Sequence, residues 1–273
     1  MSKRDHILVG LDIGTTKICA IVAEVPEEGP LNIIGVGSCP SRGLRKGVVV
    51  NIESTVESIK KAVEEAELMA AVQINSVYTG IAGSHISGEN LKGVVALKKQ
   101  EVTRDDISRA VESARTLAVI PHERRILHVL PREFMVDDQE GVREPLGMSG
   151  NRLEVNVHVI TGAVTSAQNI IKSVNRAGLD VVDIILQPLA SSEAVLSAEE
   201  RELGVAMVDL GGGTTDLAIF LDGSIRHTAV LPIGGQNLTK DLAIGLLTSQ
   251  TAAEPIKVQH GTAPAELGHG HPM

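Results

Sequence analysis

The chain reads Ile-Leu-Val-Gly-Leu-Asp-Ile-Gly-Thr-Thr-Lys at residues 7–17 and Val-Ala-Met-Val-Asp-Leu-Gly-Gly-Gly-Thr-Thr-Asp at residues 205–216. Each stretch is an aliphatic run that ends in aspartate and is followed by a glycine turn with two threonines. A second aliphatic run follows each turn, at residues 18–22 and 217–220. Aliphatic runs on both sides of a glycine turn are typical of paired strands. The sequence therefore predicts two similar strand, turn and strand elements.

The two turns have the composition of a phosphate-binding site. Glycine lets backbone N–H groups approach an anion closely, threonine hydroxyls add donors, and Lys17 supplies a charge for a terminal phosphate. Asp12 and Asp209 end the first strand of each element, where two carboxylates suit a hydrated Mg²⁺. The predicted phosphate-binding residues are Gly14, Thr15, Thr16, Lys17, Gly211, Gly212, Gly213, Thr214 and Thr215. We expect a clamp on a nucleotide polyphosphate, and the lack of a Walker A sequence excludes a P-loop protein.

The elements around the two turns repeat in the same order. After the first turn pair we predict a third strand at residues 31–37, an irregular loop, and an amphipathic helix from Ile52 with Asn51 as its N-cap. The loop is predicted from glycine and proline at Gly35, Gly37, Pro40, Gly43 and Gly47. After the second turn pair we predict a strand at residues 225–231 and a helix after Gly234. The repeat indicates two α/β halves that face each other across a cleft, with one turn on each wall.

Residues 82–162 are predicted to form an inserted subdomain. They contain a helix that Thr103 caps with Asp106 at the capping-box position, and its expected buried face is Ile107, Ala110, Val111, Ala114 and Leu117. The insertion closes with a strand at residues 155–160, where apolar and polar residues alternate. His158 falls on the polar side of this strand, so we expect it to be an exposed histidine rather than a ligand.

Composition excludes several classes of protein. With 43% hydrophobic and 22% charged residues, the chain has the composition of a globular protein. A net charge of −9 and the lack of a basic face argue against a nucleic-acid partner. Cys19 and Cys39 do not make a disulfide framework, which favours a reducing cytoplasm. No stretch approaches the roughly 20 apolar residues of a membrane span.

The two turn sequences resemble the phosphate motifs of the actin, Hsp70 and sugar-kinase ATPases. Residues 12–17 are similar to the first motif of that superfamily and residues 209–216 to the second. Gln187, in the sequence Gln-Pro-Leu-Ala-Ser at residues 187–191, resembles the polar residue that orders the attacking water. The resemblance implies an α/β fold, the actin-like (ribonuclease H-like) duplicated ATPase fold, with ATP and Mg²⁺ as cofactors. It also implies Asp12, Gln187 and Asp209 as catalytic residues and Asp12 and Asp209 as metal ligands.

Within this superfamily the chain resembles the FtsA family of bacterial cell-division proteins. The resemblance is carried by residues 32–43, by Glu-Gly-Val-Arg-Glu-Pro-Leu-Gly-Met-Ser-Gly at residues 140–150, and by residues 200–204 and 253–261. It implies that residues 1–81 and 163–190 form subdomain 1A and that residues 82–162 form the family's subdomain 1C. It further implies a partial subdomain 2A at residues 191–232 and the start of subdomain 2B at residues 233–261. Residues 262–273 do not resemble the family's continuation, and we expect them to be a disordered tail.

The family resemblance also implies a function. Such proteins link FtsZ filaments to the cytoplasmic membrane, recruit other division proteins, self-associate into actin-like filaments, and hydrolyse ATP slowly or not at all. The implied location is cytoplasmic, or peripheral on the inner membrane. Family members continue beyond the end of this chain, so we expect a C-terminally truncated second half without the adenosine-binding glycine motif and the membrane-binding amphipathic helix. Membrane and FtsZ binding are therefore doubtful for this chain.

Two other functions stay open from the sequence. The chain could be an interaction module that binds nucleotide weakly and contacts division partners through 1A and 1C. It could also be a sugar kinase or phosphatase of the same fold, although nothing in residues 82–162 suggests a sugar site. Binding of partners without ATP favours the first alternative, and turnover of a soluble substrate favours the second.

Overall fold

The computed structural model describes residues 7–262, so the predicted tail lies outside the described residues except for residue 262. The strands are β1 (Ile7–Ile13), β2 (Lys17–Glu24), β3 (Asn32–Pro40), β4 (Leu44–Arg45), β5 (Val48–Val49), β6 (Ser76–Ile81), β7 (Ser87–Ala96), β8 (Arg124–Val136), β9 (Gln139–Val142), β10 (Arg152–Ala163), β11 (Asp180–Leu186), β12 (Val205–Leu210), β13 (Thr215–Leu221) and β14 (Ser224–Leu231). The helices are α1 (Ile52–Ala70), α2 (Arg104–Leu117), α3 (Val164–Arg176), α4 (Gln187–Val195), α5 (Ala198–Leu203), α6 (Gly235–Gly245) and α7 (Gln250–His260).

The first half is a five-stranded sheet in the order β11-β6-β1-β2-β3. Strand β1 runs antiparallel to β2 and parallel to β6. Helices α1 and α3 pack against this sheet and complete a core of aliphatic residues from β1, β2, β6 and both helices. The predicted cap of α1 is confirmed, because the Asn51 side chain accepts a hydrogen bond of 3.0 Å from the backbone N–H of Ser54.

The third strand extends to Pro40, so the predicted loop begins later than its first glycines indicated. Gly35, Gly37 and Pro40 all lie within β3, which pairs with β2 over its length. A Cβ atom on Gly35 would lie 2.6 Å from the Ala66 carbonyl oxygen of α1, and one on Gly37 would overlap the carbonyl oxygen of Ala62. These glycines therefore let α1 lie directly on the strand, which is a packing role and not a turn signal.

The insertion is a separate antiparallel sheet in the order β7-β10-β8-β9, covered by α2. Its core includes Val102, Ala110, Ala114, Phe134 and Leu153. The predicted capping box of α2 is confirmed by reciprocal bonds between Thr103 and Asp106.

The predicted burial of Leu117 is wrong, because this side chain is 60% exposed. Val119, two residues further along, is also exposed. The last turn of α2 therefore extends past the hydrophobic contact with the sheet, and a helical period alone does not reveal where that contact ends.

The second half repeats the first in outline. Its sheet has the order β12-β13-β14, both pairs are antiparallel, and α6 follows the third strand as predicted. Met207, Ala218, Phe220 and Ile225 form its small core. The fold therefore consists of two similar α/β halves with an inserted subdomain.

His158 is buried, and the prediction that it is exposed is wrong. Its side chain is 1% exposed, with Nδ1 2.7 Å from Asn90 Oδ1 and Nε2 3.0 Å from Thr228 Oγ1. Thr228 belongs to β14, so this histidine joins the insertion to the second half of the fold. Burial lowers its pKa to about 4. The polar side of β10 is covered here by a strand about 70 residues away in sequence, a contact that local alternation does not reveal.

Candidate functional site

The two predicted turns meet at one cavity of about 590 Å³ between the halves of the fold. A cavity of this size is in the range of small-ligand sites. The first half lines it with β1, the first turn and β6, and the second half lines it with the end of β12, the second turn and Asp216. The start of α4 closes it on a further side with Gln187 and Ser191.

The first turn is a tight hairpin between β1 and β2. The Gly14 N–H donates to the Lys17 carbonyl at 3.0 Å, and Asp12 is the register partner of Cys19. A loop after β3 holds the tip, because the Gly47 N–H donates to Thr15 Oγ1 at 3.0 Å. The first turn therefore presents two threonines and Lys17 from a fixed backbone.

The second turn has the same backbone geometry with different side chains. The Gly211 N–H donates to the Thr214 carbonyl at 2.9 Å, and Asp209 is the register partner of Asp216. These equivalent bonds align Thr214 with Lys17, and they align the two threonines of the first turn with Gly212 and Gly213. The threonine pairs that look equivalent in the sequence are therefore not equivalent in the structure.

The tips of the two turns touch across the cavity. A Cβ atom on Gly212 would overlap Thr16 Cγ2, and one on Gly213 would lie 2.8 Å from Thr15 Oγ1. The glycines of the second turn thus accommodate the threonines of the first. Together the tips form one continuous surface of hydroxyl and backbone groups.

Helix α6 braces the second turn from behind. Its first residues donate backbone hydrogen bonds to the turn, from Gly235 to Gly211 at 2.9 Å and from Gln236 to Gly212 at 2.8 Å. The Lys257 ammonium of α7 in turn donates to the Gly235 carbonyl at 3.2 Å and to Thr239 Oγ1 at 2.9 Å. The second turn is therefore held through two successive helices.

Asp12 lines the cavity and is hydrogen-bonded to Gln187. The Gln187 side-chain amide donates to Asp12 Oδ1 at 2.6 Å. Gly80 makes this contact possible, since a Cβ atom there would lie 2.8 Å from Gln187 Cγ. Asp12 is open to the cavity, but the surrounding protein removes enough water to raise the pKa of its carboxyl, and the charge of Asp209 raises it further. Lys17 and the Gln187 bond act in the opposite direction.

Asp209 lies on the opposite wall and is bonded to α4. The Ser191 hydroxyl donates to Asp209 Oδ2 at 3.2 Å. Since Gln187 and Ser191 are both on α4, one helix contacts both aspartates. The sequence indicated Gln187 but gave no reason to select Ser191.

Asp216 is a third carboxylate at the cavity. It is 4% exposed, and its Oδ2 accepts a 2.9 Å hydrogen bond from the Thr214 hydroxyl. Oδ1 is buried and has no hydrogen-bond partner among the described residues. Burial raises the pKa of Asp216 to about 6, with a smaller contribution from the charge of Asp209. Asp216 is absent from the predicted site residues. Its place at the end of the quoted motif, directly after the two threonines, was the signal in the sequence that could have identified it.

The structure brings most of the predicted residues to the cavity. Those that line it are Asp12, Gly14, Thr15, Thr16, Lys17, Gln187, Asp209, Gly211, Gly212 and Thr214. Gly213 instead packs against Thr15 and Lys46, and the Thr215 hydroxyl donates to the Ile233 carbonyl at 2.8 Å. These two residues support the turn from outside the cavity wall.

The described part of the chain has no preassembled metal cluster and no membrane-spanning helix. Within residues 7–262, no three His, Cys, Asp or Glu side chains are grouped closely enough to hold a metal ion. None of the helices in this range combines the length and the apolar character needed to cross a bilayer. Asp12, Asp209 and Asp216 line the cavity without forming such a group.

Two family models match the chain. One, described as the SHS2 domain inserted in FtsA, matches residues 83–161, and the other, described as cell division protein FtsA, matches residues 206–272. Among curated proteins, the cell division protein FtsA of Pseudomonas aeruginosa is 54% identical over 261 residues, which is 96% of this chain and 62% of that protein. The FtsA of Escherichia coli strain K12 is 48% identical over 94% of this chain and 61% of that protein. The chain thus spans somewhat more than half the length of these relatives.

Solved structures agree on the fold. A chain of the PilM-PilN type IV pilus biogenesis complex superposes with a TM-score of 0.69 at 20% identity, covering 93% of this chain and 70% of that one. MreB5 of Spiroplasma citri bound to AMPPNP superposes with a TM-score of 0.50 at 14% identity, covering 93% of this chain and 62% of that one. At these identities the likeness establishes the actin-like fold alone.

Proposed function

The chain belongs to the FtsA family of bacterial cell-division proteins, and from this premise we propose that it is an actin-like division protein whose cavity binds ATP and Mg²⁺. One observation carries the proposal. Two hairpin turns with the same backbone geometry face each other across a single cavity, with one aspartate at the same position of each. A ligand in this cavity contacts both halves of the fold at once.

The residues present fit the phosphates of a nucleotide. Backbone N–H groups of the glycine turns, the Thr15 and Thr16 hydroxyls and the Lys17 ammonium supply donors and positive charge on an otherwise acidic chain. Asp12, Asp209 and Asp216 supply the carboxylate oxygens. The free buried Oδ1 of Asp216 and its raised pKa indicate that a cation at this wall would relieve an unfavourable arrangement.

Mg²⁺ would be held by Asp12 and Asp209 from opposite walls, with water and phosphate oxygens as its other ligands. Such an ion would supply positive charge that neutralises the phosphates. Gln187 is suited to orient a water molecule, because its amide is already fixed by Asp12 and its carbonyl oxygen is free to accept a hydrogen bond. We propose that hydrolysis, where it occurs, is slow, and that the main role is assembly.

The family further suggests the cellular role. We propose that the protein links FtsZ filaments to the cytoplasmic membrane, recruits other division proteins and self-associates into filaments, from a cytoplasmic or peripheral membrane location. The proposed subdomains are 1A at residues 1–81 and 163–190, 1C at residues 82–162, part of 2A at residues 191–232 and the start of 2B at residues 233–261.

Calorimetric titration with ATP and Mg²⁺ tests the nucleotide proposal. We expect the wild-type chain to bind, and we expect the Asp12→Ala, Asp209→Ala double variant to lose at least tenfold in affinity, about 1.4 kcal/mol. The matched control is Asp222→Ala, which removes one exposed carboxylate away from the cavity. Equal affinities for the wild type and the double variant would contradict the proposal.

A second candidate function is favoured by the insertion. This subdomain has its own sheet, helix and hydrophobic core, so it can present a binding surface whatever the cavity contains. As an interaction module the chain would capture division proteins equally well with and without ATP. Pull-down of purified division proteins by the full chain, with and without ATP and Mg²⁺, separates the two functions.

A further inference from the structure

A histidine of the insertion contacts the backbone next to the nucleotide cavity. His128 lies on β8, and its Nε2 accepts a 3.0 Å hydrogen bond from the Leu186 N–H, the last residue of β11. Strand β11 is the edge of the five-stranded sheet, so this N–H points away from β6 and has no strand partner on that side. The insertion therefore supplies the acceptor at the position where β11 ends.

The residue after Leu186 is Gln187, which begins α4 and donates to Asp12. No side-chain cap satisfies the start of this helix, so the preceding backbone fixes where it begins. A displacement of the Leu186 backbone would move the Gln187 side chain, which already sits close against Gly80. Two hydrogen bonds, from the Leu186 N–H to His128 and from the Gln187 amide to Asp12, thus form a short connection between His128 and Asp12.

The bond from Leu186 requires that His128 Nε2 accept, so this nitrogen carries no proton. The proton of the neutral ring is then on Nδ1. Burial lowers the pKa of His128, although the charge of Asp183 on β11 acts against this, and the neutral form is therefore the one favoured at pH 7. The protonation state agrees with the geometry.

We propose that His128 is a positioning residue: by holding the Leu186 backbone it sets the position of Gln187, and so the hydrogen bond that Gln187 gives to Asp12. The insertion thereby contributes to the geometry of the nucleotide cavity without touching a ligand. The consequence for nucleotide binding rests on the proposed function, whereas the consequence for Gln187 does not.

A purely structural role gives a different expectation. Edge strands need their free N–H groups satisfied, and on the same edge the Ile184 N–H is satisfied by the side chain of Asp183 at 2.8 Å. If His128 did no more than this, its removal would lower stability and leave the Gln187 to Asp12 bond intact. The experiment must therefore observe Gln187 directly.

The test follows the side-chain amide of Gln187 by NMR in the whole ¹⁵N-labelled 273-residue chain, with the resonance assigned by its loss in Gln187→Met. In the wild type we expect one amide proton to be shifted downfield and slow to exchange, because it is held by a carboxylate. In His128→Leu we expect the shift and the protection to disappear. His128→Gln, which keeps an acceptor, should restore them at least in part, and His158→Leu, which removes a buried histidine of the same sheet, should leave them unchanged.

Unchanged Gln187 resonances in His128→Leu would overturn the proposal. If this variant does not fold, His128→Asn replaces it, because its shorter side chain does not reach Leu186. In nucleotide titration, His128→Leu should weaken binding about fivefold, the equivalent of one neutral hydrogen bond, and should have no further effect in a Gln187→Ala background. An additive effect would contradict the positioning role. Failure of the wild type to bind nucleotide would contradict the proposed function and leave the NMR result valid.

Discussion

The two hairpin turns have the same backbone geometry but present different chemical groups to the cavity. In each, a glycine N–H donates to the carbonyl three residues later, and an aspartate occupies the same position before the turn. The first turn carries two threonines and Lys17, whereas the second carries two glycines and Thr214. One register partner differs as well, because Cys19 stands where the second turn has Asp216.

The same backbone geometry thus carries complementary groups in the two turns. The first turn supplies hydroxyls and a cation, and the second supplies backbone N–H groups and a second carboxylate. The glycines of the second turn also leave the space that the threonines of the first turn occupy. If the two turns have these different roles, substitutions at equivalent positions should have unequal effects on stability and ligand binding.

The largest asymmetry concerns Asp216, whose counterpart is Cys19. Its pKa is about 6 in the folded chain against 3.8 for an ordinary aspartate, so between these values the folded state binds more protons than the unfolded state. The contribution of Asp216 to stability should therefore fall as pH rises from about 4 to 6, by at most about 3 kcal/mol. Asp216→Asn removes this loss, so it should stabilise the free protein at pH 7 and reduce the stabilisation by ATP and Mg²⁺. Urea unfolding between pH 4 and 8 measures both effects, and a less stable free variant at pH 7 would contradict them.

His158 should produce a pH dependence of similar size and opposite sign. Its pKa falls from 6.5 to about 4 on folding, so the unfolded state binds more protons in this range and stability should rise with pH, by at most about 3 kcal/mol. The two groups therefore offset each other in the wild type. Unfolding of His158→Gln over the same pH range should reveal the fall caused by Asp216, and unfolding of Asp216→Asn should reveal the rise. Identical pH profiles for the two variants would show that neither group behaves as described.

The next difference between the turns is that helix α6 supports the second turn from behind through backbone hydrogen bonds. A Cβ atom on Gly234 would lie 2.5 Å from the Gly211 carbonyl oxygen and 2.7 Å from the Gly212 backbone, so it would push α6 away from the turn. We expect Gly234→Ala to destabilise the chain by about 2 kcal/mol, as overpacking usually does. Gly245→Ala is the control, because a Cβ atom there meets nothing within 4 Å. Thermal unfolding compares them, and equal stability losses would argue against the brace.

The smallest effect is expected within the first turn. Thr15→Ala removes the acceptor of the Gly47 N–H and should cost about 1 kcal/mol, since a partly buried donor loses its partner. Thr15→Ser keeps the hydroxyl and should cost less than half as much. Chemical denaturation distinguishes the two, and equal losses would assign the effect to the methyl group instead of the hydrogen bond.

The sequence predicted most of the secondary structure because local signals were sufficient there. The apolar runs on each side of both turns gave the hairpins, and Asn51 and Thr103 marked the helix starts that the structure has. Gly37 was misinterpreted because a glycine in a turn and a glycine beneath a helix look alike in one sequence. Only the three-dimensional approach of α1 to β3 separates the two roles.

The site was predictable as a set of motifs but not as an arrangement. Alignment of the two motifs by residue identity pairs the threonines of one turn with those of the other. The hairpin hydrogen bonds instead pair the threonines of the first turn with Gly212 and Gly213. His128 and His158 could not be assigned from sequence, because their partners, Leu186 and Thr228, belong to elements 58 and 70 residues away. Such contacts depend on how the insertion packs on the two halves.

Hydrogen–deuterium exchange with and without ATP and Mg²⁺ tests the central claim most directly. If both turns hold one ligand, amides of residues 14–17 and of residues 211–214 should gain protection together, at the same ligand concentration. Peptides from α2, away from the cavity, provide the internal control and should not change. Protection of one turn alone, or of neither turn under conditions where ATP is bound, would contradict the account of a clamp shared between the two halves.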